Sequence, residues 1–245
     1  MHKGRHFLLS DIFMHESAIE LSHVEYTWPG NTHRTLNIDA LSLKRGERLF
    51  VAGPSGSGKS TLLSLVGGII LPSQGEISVL GTSFKTMSSA RRDRFRVDHI
   101  GFIFQQFNLI PYLSVLENVM LPCRFSAVRR QGATEQASSV EESAKGLLDE
   151  LGLDRSLWRR QASQLSVGQQ QRVAAARALI GKPALIIADE PTSALDALHQ
   201  EDFIGLLMNE CARFSTALIF VSHDERLSKH FHNRLVLAVE SGDIS

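Results

Sequence analysis

A glycine-rich loop between two apolar segments limits most strongly what this chain can fold into. The apolar segments are residues 49–52 and 61–66. The loop consists of Gly53, Pro54, Ser55, Gly56, Ser57, Gly58, Lys59, Ser60 and Thr61. It matches the pattern GxxxxGK[ST], in which glycines let backbone N–H groups curl around phosphates and a following helix adds its positive N-terminal end. We therefore predict a strand, a phosphate-binding loop (P-loop) and a helix. A plain turn rich in glycine and serine is the alternative, and the Lys-Ser pair disfavours it.

Two carboxylates supply the further chemistry that such a loop needs. Asp189 and Glu190 directly follow an apolar run, residues 185–188, which predicts a buried strand that ends beside the loop. We expect Lys59 to reach the β- and γ-phosphates of a nucleotide, and Asp189 to hold Mg²⁺ through water or through the Ser60 hydroxyl. Glu190 is then placed to orient and polarise an attacking water. An ordinary strand with an acidic end is the alternative. The sequence contains no NKxD motif, which disfavours a GTPase.

Continuous apolar runs predict a parallel sheet that helices cover on both faces. Three of these runs are residues 49–52, 185–188 and 217–221. A fourth run, residues 235–239, is predicted to be the last strand. Two earlier strands are predicted at residues 19–26 and 36–43.

The middle of the chain has a different composition. From about residue 88 to residue 160 it is rich in charged residues and helix formers, which predicts a helical insertion in the sheet-based core. Within it, residues 128–142 are polar and predict a mobile surface loop or a frayed helix. Residues 141–151 carry alanine and leucines at helical spacing, and Gly152 is a suitable stop for that helix.

The charge and cysteine content restrict the partners of the chain. Lysine plus arginine and aspartate plus glutamate both number 26, a balance that argues against nucleic acid as the main partner. Cys123 and Cys211 form no CxxC pair, so neither a disulfide framework nor a zinc site is expected. No apolar run approaches the roughly 18 residues that span a bilayer, so we expect a cytosolic protein that a partner links to any membrane. Residues 1–16 are predicted to be a short extension and residues 17–245 the folded domain with its insertion.

A more specific element lies at residues 165–173, which read LSVGQQQRV. This segment resembles the LSGGQ signature of ABC ATPases. The other motifs of that family occur in the family's order: Trp28 where an aromatic ring stacks on adenine, Gln105 at the Q-loop, residues 193–196 (SALD) at the D-loop and His223 at the switch. Tyr26 is the alternative for the aromatic residue. The resemblance extends over about residues 19–239, nearly the whole chain.

The resemblance implies an α/β fold, with a RecA-like P-loop NTPase core, an antiparallel β subdomain and an inserted α-helical subdomain at about residues 88–160. It also implies ATP and Mg²⁺ as ligands, and an ATP hydrolase that works as an ATP-dependent homodimer. The catalytic candidates are then Lys59, Gln105, Glu190 and His223, and the candidates for holding Mg²⁺ are Ser60, Gln105 and Asp189.

The signature is expected to serve the nucleotide of the other subunit. Ser166 is an N-cap type of residue, and Ala174 and its neighbours favour a helix after it. A helix N-terminus attracts anions, and in the family this one contacts the γ-phosphate held by the P-loop of the opposite chain. The candidates for this contact are Ser166, Gly168 and Gln169. Val167 replaces the first glycine of the usual pair, and we expect ATPase activity to survive this change.

A narrower resemblance concerns what the ATPase drives. Residues 101–111 (GFIFQQFNLIP) and 116–119 (LENV) are similar to the lipoprotein-release, macrolide-export and cell-division members of the family. This implies a transmembrane permease subunit docked on the surface of the Q-loop and helical subdomain, and a location on the cytoplasmic face of the membrane. Residues 193–196 differ from this subgroup and are more typical of amino-acid importers. The apolar residues predicted to form the docking groove are Phe107, Leu109, Ile110, Tyr112 and Leu113.

Two other functions stay open at this point. An ABC ATPase that acts on nucleic acid or ribosomes is expected to carry a long coiled-coil insertion or tandem ATPase domains, and this sequence shows neither. A catalytically weak regulatory module is the second alternative, and the presence of Glu190 and His223 disfavours it.

Overall fold

The structure, a computed structural model, describes residues 16–30 and 32–239, which contain nine strands and seven α-helices. The strands are β1 (Ser17–Tyr26), β2 (Leu36–Lys44), β3 (Arg48–Ala52), β4 (Gln74–Val79), β5 (Thr82–Ser83), β6 (Ile100–Ile103), β7 (Leu185–Asp189), β8 (Ala217–Val221) and β9 (Asn233–Val236). The helices are α1 (Lys59–Val66), α2 (Ser89–His99), α3 (Val115–Phe125), α4 (Ala127–Thr134), α5 (Val140–Glu150), α6 (Val167–Leu179) and α7 (Ala197–Arg213). The predicted extension, residues 1–16, lies outside the described ranges except for its last residue.

Five parallel strands form the central sheet, in the order β6-β7-β8-β3-β9. Strands β3, β7 and β8 are buried along nearly their whole length, as their continuous apolar sequences predict. In the register of this sheet, Asp189 at the end of β7 lies beside Val221 at the end of β8. Because parallel strands share one carboxyl edge, the loops that follow β3, β7 and β8 all leave the sheet at that edge.

A second sheet is antiparallel, in the order β2-β1-β4-β5. In β1 the side chains of Ile19, Leu21 and Val24 are buried, and the pairing with β4 shifts register between Ser22 and Glu25. These side chains belong to one apolar core with α1 and with one face of β3, β7 and β8. The antiparallel β subdomain that the resemblance implies is therefore present and shares its core with the central sheet.

The other face of the central sheet packs under helices α3 to α7. Phe50 and Phe220, from neighbouring strands, stack with ring centroids 6.3 Å apart and join the helices in a second apolar core. The predicted helix at residues 141–151 is confirmed as α5, and Gly152 after it has a φ of 68°. Coverage of the sheet on both faces confirms the predicted sheet architecture.

One predicted strand is displaced along the sequence, and strand β6 was not predicted. The last strand is Asn233–Val236 and not residues 235–239, because its pairing with Leu49–Ala52 of β3 fixes where it begins and ends. Strand β6 lies inside the predicted helical insertion, residues 88–160, and yet it is an edge strand of the central sheet. The sequence of the insertion is therefore interrupted by one strand of the core.

The prediction of a mobile loop or frayed helix at residues 128–142 is wrong for the first part of that segment. Helix α4 fills it, and the side chain of Arg129 is fully buried, with Nη2 donating to the Ala178 carbonyl at 2.6 Å. Burial lowers the pKa of Arg129 to about 10. A Cβ atom at Gly132 would lie 2.4 Å from the Gly181 carbonyl oxygen, so α4 packs against the end of α6 at backbone distance. Close packing of these helices, which the polar sequence does not reveal, orders the segment.

Candidate functional site

The glycine-rich loop has the cradle shape that its sequence predicts. Gly53 has a φ of 153°, and a Cβ atom there would lie 2.5 Å from the Leu237 carbonyl oxygen and from the Ser57 hydroxyl. Gly58 has a φ of 90°, and a Cβ atom there would lie 2.7 Å from the Thr35 carbonyl oxygen. Side chains are excluded at both positions, so glycine is required for this loop to form.

Lys59 begins helix α1 and folds its side chain back over the loop. Its Nζ donates to the carbonyl oxygens of Gly53 at 2.7 Å and Pro54 at 2.8 Å. The ammonium group therefore lies across the loop at the positive end of the helix, and both features attract an anion.

The two acidic residues lie where the central sheet places them. Asp189 ends β7, and burial together with the neighbouring Glu190 raises its pKa, while Lys59 acts in the opposite direction. Glu190 has a φ of 48° and its backbone N–H donates to the Val221 carbonyl of β8 at 3.0 Å. This left-handed turn directs the Glu190 carboxylate to His223, whose Nδ1 lies 2.5 Å from Oε2. Adjacent parallel strands thus bring together two residues that are 33 positions apart.

A cleft of about 420 Å³, here named the P-loop cleft, collects most of the predicted residues. It is lined by Trp28, Thr35, Ser55, Gly56, Gly58, Lys59, Ser60, Thr61, Gln105, Asp189 and Glu190. Gly53, Pro54 and Ser57 lie in the loop itself but do not line the cleft, and His223 reaches it only through Glu190. Thr35 is a lining residue that sequence analysis missed, since it belongs to no motif and is brought to the loop by the turn between β1 and β2.

Of the two aromatic candidates, Trp28 is the one that faces the P-loop cleft. Its side chain is 40% exposed, whereas Tyr26 is 7% exposed and lies in the core. The two rings make an edge-to-face contact with centroids 5.1 Å apart, and the Trp28 indole N–H donates to the Thr61 hydroxyl at 3.3 Å. The buried Tyr26 ring therefore packs against the ring of Trp28 and holds it in place, and the exposed part of the Trp28 ring remains available for a planar ligand.

The signature residues lie at the N-terminus of helix α6, as predicted. The Ser166 hydroxyl accepts from the Gln169 N–H at 3.4 Å, and the Gln169 side-chain oxygen accepts from the Ser166 N–H at 2.9 Å. This reciprocal pair is a capping box. The side-chain oxygen of Gln169 is therefore engaged with the cap, while the backbone at Gly168 is open, since a Cβ atom there would meet only the Leu195 side chain at 3.7 Å.

A second cleft of about 480 Å³, the signature cleft, contains these residues. Its lining includes residues 166–169 of the signature and residues 194–196 of the D-loop segment, together with Gly152, Leu153, Asp154, Leu157, Arg172 and His199. Val167 is 46% exposed and lies at the mouth of this cleft. The P-loop cleft and the signature cleft share no lining residue. One chain therefore carries two separate clefts.

Two buried glutamines position the segment between these two clefts, and sequence analysis missed both. The Gln171 side chain donates to the Pro191 carbonyl at 2.8 Å, and the Gln200 side chain donates to the Thr192 carbonyl at 3.2 Å. Gln171 is 1% exposed on a helix face that is otherwise apolar. A polar residue at an apolar helical position is the signal that would have found it.

A third cavity, of about 380 Å³, is an apolar groove near the Q-loop. We name this surface the apolar groove, and its apolar lining includes Ile69, Val97, Phe102, Phe104 and Phe125. The predicted groove residues are not among those that line it: Phe107 is buried in the core, and Tyr112 is 72% exposed away from it. The predicted groove residues are therefore wrong at Phe107, which turns inward at a φ of 57°, and the docking of a partner beside Gln105 stays a prediction.

Comparison with known proteins decides the family. The family description "ABC transporter" matches residues 36–193. This chain belongs to the ABC transporter family. It is the ATP-binding, ATP-hydrolysing subunit type of that family, and its mixed α/β architecture is that of the ABC ATPase cassettes.

Similar proteins include several ATP-binding subunits. The chain is 39% identical over 215 residues to the uncharacterized ABC transporter ATP-binding protein YbbA of Escherichia coli K12, which covers 87% of this chain and 91% of that protein. It is 38% identical over 217 residues to the lipoprotein-releasing system ATP-binding protein LolD of Hydrogenovibrio crunogenus, covering 88% and 91% of the two chains.

Solved ABC cassettes have the same fold. The dimeric post-hydrolysis structure of the ATP-binding cassette MJ0796 bound to ADP and Pi aligns with a TM-score of 0.78 at 34% identity, covering 91% of this chain and 97% of that one. CbiO1 from Clostridium perfringens, part of the ABC transporter complex cbiONQ, aligns with a TM-score of 0.77 at 26% identity, covering 93% and 88%. ATP binding, dimeric cassettes and association with membrane transporters are thus general properties of the family to which this ABC ATP-binding protein belongs. In residues 16–30 and 32–239, no helix has the length and apolar character to cross a membrane.

Proposed function

We propose that two copies of this ABC ATP-binding protein hydrolyse ATP at two shared sites, each built from the P-loop cleft of one chain and the signature cleft of the other. The observation that carries the proposal is the separation of the two clefts within one chain. An ATP held by the P-loop cleft must meet the signature of a second copy, because its own signature lines a different cleft. The dimeric state of the MJ0796 cassette with ADP and Pi supports this arrangement.

The residues of the P-loop cleft suit Mg²⁺. The Ser60 hydroxyl, the Gln105 amide oxygen and the Asp189 carboxylate all line this one cleft, and Mg²⁺ prefers such oxygen ligands. Burial disfavours the charged form of Asp189 and raises its pKa, so a cation beside it favours the carboxylate form. We infer that these three residues would hold Mg²⁺, which neutralises phosphate charge when it is bound.

The other residues of the site have distinct proposed roles. Lys59 binds the β- and γ-phosphates, and the exposed ring of Trp28 stacks on adenine. Glu190 orients and polarises the attacking water, and His223, whose Nδ1 is 2.5 Å from the Glu190 carboxylate, keeps that carboxylate in position. Ser166 and the backbone N–H at Gly168 contribute the anion-binding helix N-terminus from the second chain, and Gln169, which forms the capping box with Ser166, holds this helix end in shape.

The experiment that tests this function uses Glu190→Gln. We expect the variant to bind ATP as the wild type does, to hydrolyse it about 10²–10⁴ times more slowly, and to accumulate as a dimer with MgATP. Light scattering after size-exclusion chromatography, with and without MgATP, measures the dimer. A variant that stays monomeric at saturating MgATP, or one as active as the wild type, would contradict the proposal.

We also propose that the dimer energises a membrane protein of the lipoprotein-release and macrolide-export type, which holds it at the cytoplasmic face of the membrane. The LolD relative of Hydrogenovibrio crunogenus belongs to a lipoprotein-releasing system, and its identity of 38% over most of both chains supports a related partner. The apolar groove is the surface that fits such a partner. Phe125 is 65% exposed there, and Phe104 lies directly beside Gln105, so an occupant of the groove would touch the Q-loop.

Purification of the tagged protein from its own cells tests the groove. An integral membrane protein should purify together with the wild type and be lost with Phe125→Asp. Val236→Asp is the matched control, because Val236 is comparably exposed, at 59%, and lies outside the groove. Ribosomes or nucleic acid in place of any membrane protein would instead favour the alternative ABC ATPase that acts without a membrane partner.

A further inference from the structure

Helix α6 connects the signature cleft with the Q-loop, defined here as residues 104–110. Its N-cap is Ser166, and Arg177 lies near its other end. At 1.5 Å of rise per residue, the backbones of these two residues are about 16 Å apart along the helix. The Arg177 guanidinium donates to the Asn108 carbonyl at 2.7 Å through Nη1 and to the Phe107 carbonyl at 2.5 Å through Nη2.

The carbonyl groups that Arg177 binds belong to an uncommon backbone conformation. Phe107 and Asn108 have φ values of 57° and 48°, so two consecutive residues other than glycine are left-handed. The Asn108 N–H donates to the Gln106 carbonyl at 2.6 Å, so a hydrogen bond between residues two positions apart makes a tight turn in the loop. A bulky residue such as Phe107 keeps this conformation only where its surroundings fix it. The buried Phe107 ring fixes the side-chain end, and Arg177 fixes the two carbonyls.

The guanidinium of Arg177 has the geometry and the environment for this task. Its planar fork presents two parallel N–H groups, which lysine cannot do. Burial lowers its pKa, and no carboxylate forms an ion pair with it among the residues that the structure describes. The backbone of the Q-loop is therefore the partner for which this side chain is placed.

The helix between the two ends is held as a rigid element. Its inward face carries Val173 and a run of alanines, all buried, which pack closely against the central sheet and α3. At the signature end, the capping box of Ser166 and Gln169 fixes the first turn. A shift of the Q-loop therefore moves the signature residues with it, because little in between can absorb the displacement.

We propose that Arg177 is a positioning residue that couples the Q-loop to the signature. In the proposed dimer, Gln105 and Ser166 of one chain belong to different shared sites. The coupling through Arg177 would place both residues for catalysis at the same time. Arg177 also lines the apolar groove beside Phe104, so a membrane partner in that groove contacts the same connection. This inference rests on the proposed function, since it assumes that each signature serves the nucleotide of the second chain.

The test compares three variants, each combined with Glu190→Gln so that dimers accumulate. We expect Arg177→Gln to raise the MgATP concentration for half-maximal dimer formation about tenfold, the size expected for losing charge-assisted hydrogen bonds. Arg177→Lys retains the charge but not the two parallel N–H groups of the guanidinium, and it should raise this MgATP concentration by about threefold. Arg96→Gln is the matched control, because Arg96 lines the same groove but donates to the Gly67 carbonyl, and it should leave the value unchanged.

Affinity of the monomer for ATP without Mg²⁺ is the second measurement, and a general structural defect would lower it. It should be unchanged in all three variants, because none touches the P-loop or Trp28. The inference would be overturned if Arg177→Gln dimerised at the same MgATP concentration as its parent. It would also be overturned if the ATP affinity of the monomer without Mg²⁺ fell by the same factor as dimer formation. Either result would leave the proposed function intact. If Arg177→Gln does not fold, Arg177→Lys is the deciding variant. The inference is overturned if Arg177→Lys needs the same MgATP concentration for half-maximal dimer formation as its parent. A Glu190→Gln parent that never dimerises overturns the proposed function, and the inference with it.

Discussion

The P-loop cleft and the signature cleft differ in how tightly their backbones are constrained. In the glycine-rich loop beside the P-loop cleft, Gly53 and Gly58 have positive φ values, and added Cβ atoms there would collide with backbone at 2.5 and 2.7 Å. In the signature cleft, residues 166–169 have no positive φ and the space at Gly168 is open, while Gly152, the lining glycine with a φ of 68°, follows helix α5 and lies outside the signature. The first cleft is thus preformed by glycine turns on a rigid sheet edge. The second is an ordinary capped helix end that presents its N–H groups to whatever approaches.

This difference supports the prediction that valine is tolerated in the signature. Val167 occupies the first helical position with a β-region residue, Ser166, before it, and its side chain points to open space at the mouth of the cleft. A side chain at Gly53 or Gly58 has no such space. We therefore predict that binding of the nucleotide by one chain depends on the first cleft, whereas the second cleft matters once two chains meet.

Lys59→Ala should give the largest effect, in the P-loop cleft. Removing the ammonium group from the loop removes charge-assisted bonds to phosphate, so ATP affinity of the monomer should fall about 100-fold. Isothermal titration with ATP measures it. Lys85→Ala, which removes an ammonium group outside this cleft, should bind normally. Unchanged affinity of Lys59→Ala would break the assignment of nucleotide binding to this cleft.

Ser166→Ala should give the next largest effect, and only after two chains meet. ATP affinity of the monomer should stay normal, while dimer formation in the Glu190→Gln background should need about tenfold more MgATP. Ser139→Ala is the matched control, because Ser139 caps α5 by accepting from the Glu142 N–H at 3.1 Å. Both variants lose a cap worth about 0.5–2 kcal/mol. Equal dimer formation by the two variants would show that Ser166 acts only as a cap.

Val167→Gly should give the smallest effect, and in the opposite direction. It clears the mouth of the signature cleft, so the MgATP needed for dimer formation should fall about twofold to threefold, with glycine costing the helix end only a few tenths of a kcal/mol at an exposed position. The same chromatographic titration measures the change. A tenfold or larger gain would mean that valine strongly obstructs the contact, which the open geometry does not support.

The part of the molecule that sequence analysis predicted well is the part encoded by local patterns. The apolar run before Gly53, the Lys-Ser pair and the acids after residues 185–188 each carry their own signal, and the parallel sheet brings them to one edge. The helix that follows Ser166 was predicted from this cap residue, and the capping box confirms the cap. The roles of these residues in catalysis stay predictions, for which the shared cleft is supporting geometry.

The part that sequence analysis missed depends on contacts between distant segments. Nothing local indicates that Arg129 is fully buried, because its burial follows from α4 packing against the end of α6 at Gly181. Likewise, Phe107 turns inward, and the apolar groove is lined by Phe104 and Phe125 instead of the predicted residues. These features require tertiary packing that overrides the polar or apolar character of short segments.

Mixing two inactive variants tests the central claim most directly. Lys59→Ala keeps its signature cleft, and a Ser166→Arg chain, whose bulky side chain blocks the signature cleft, keeps its P-loop cleft. Each variant alone should hydrolyse almost no ATP. In an equal mixture, half of the dimers contain both variants and have one complete site. The mixture should therefore regain about a quarter of the wild-type rate per chain, because the two-fold interface combines each P-loop cleft with the signature of the other chain. A mixture as inactive as its two components would contradict a site shared between two chains.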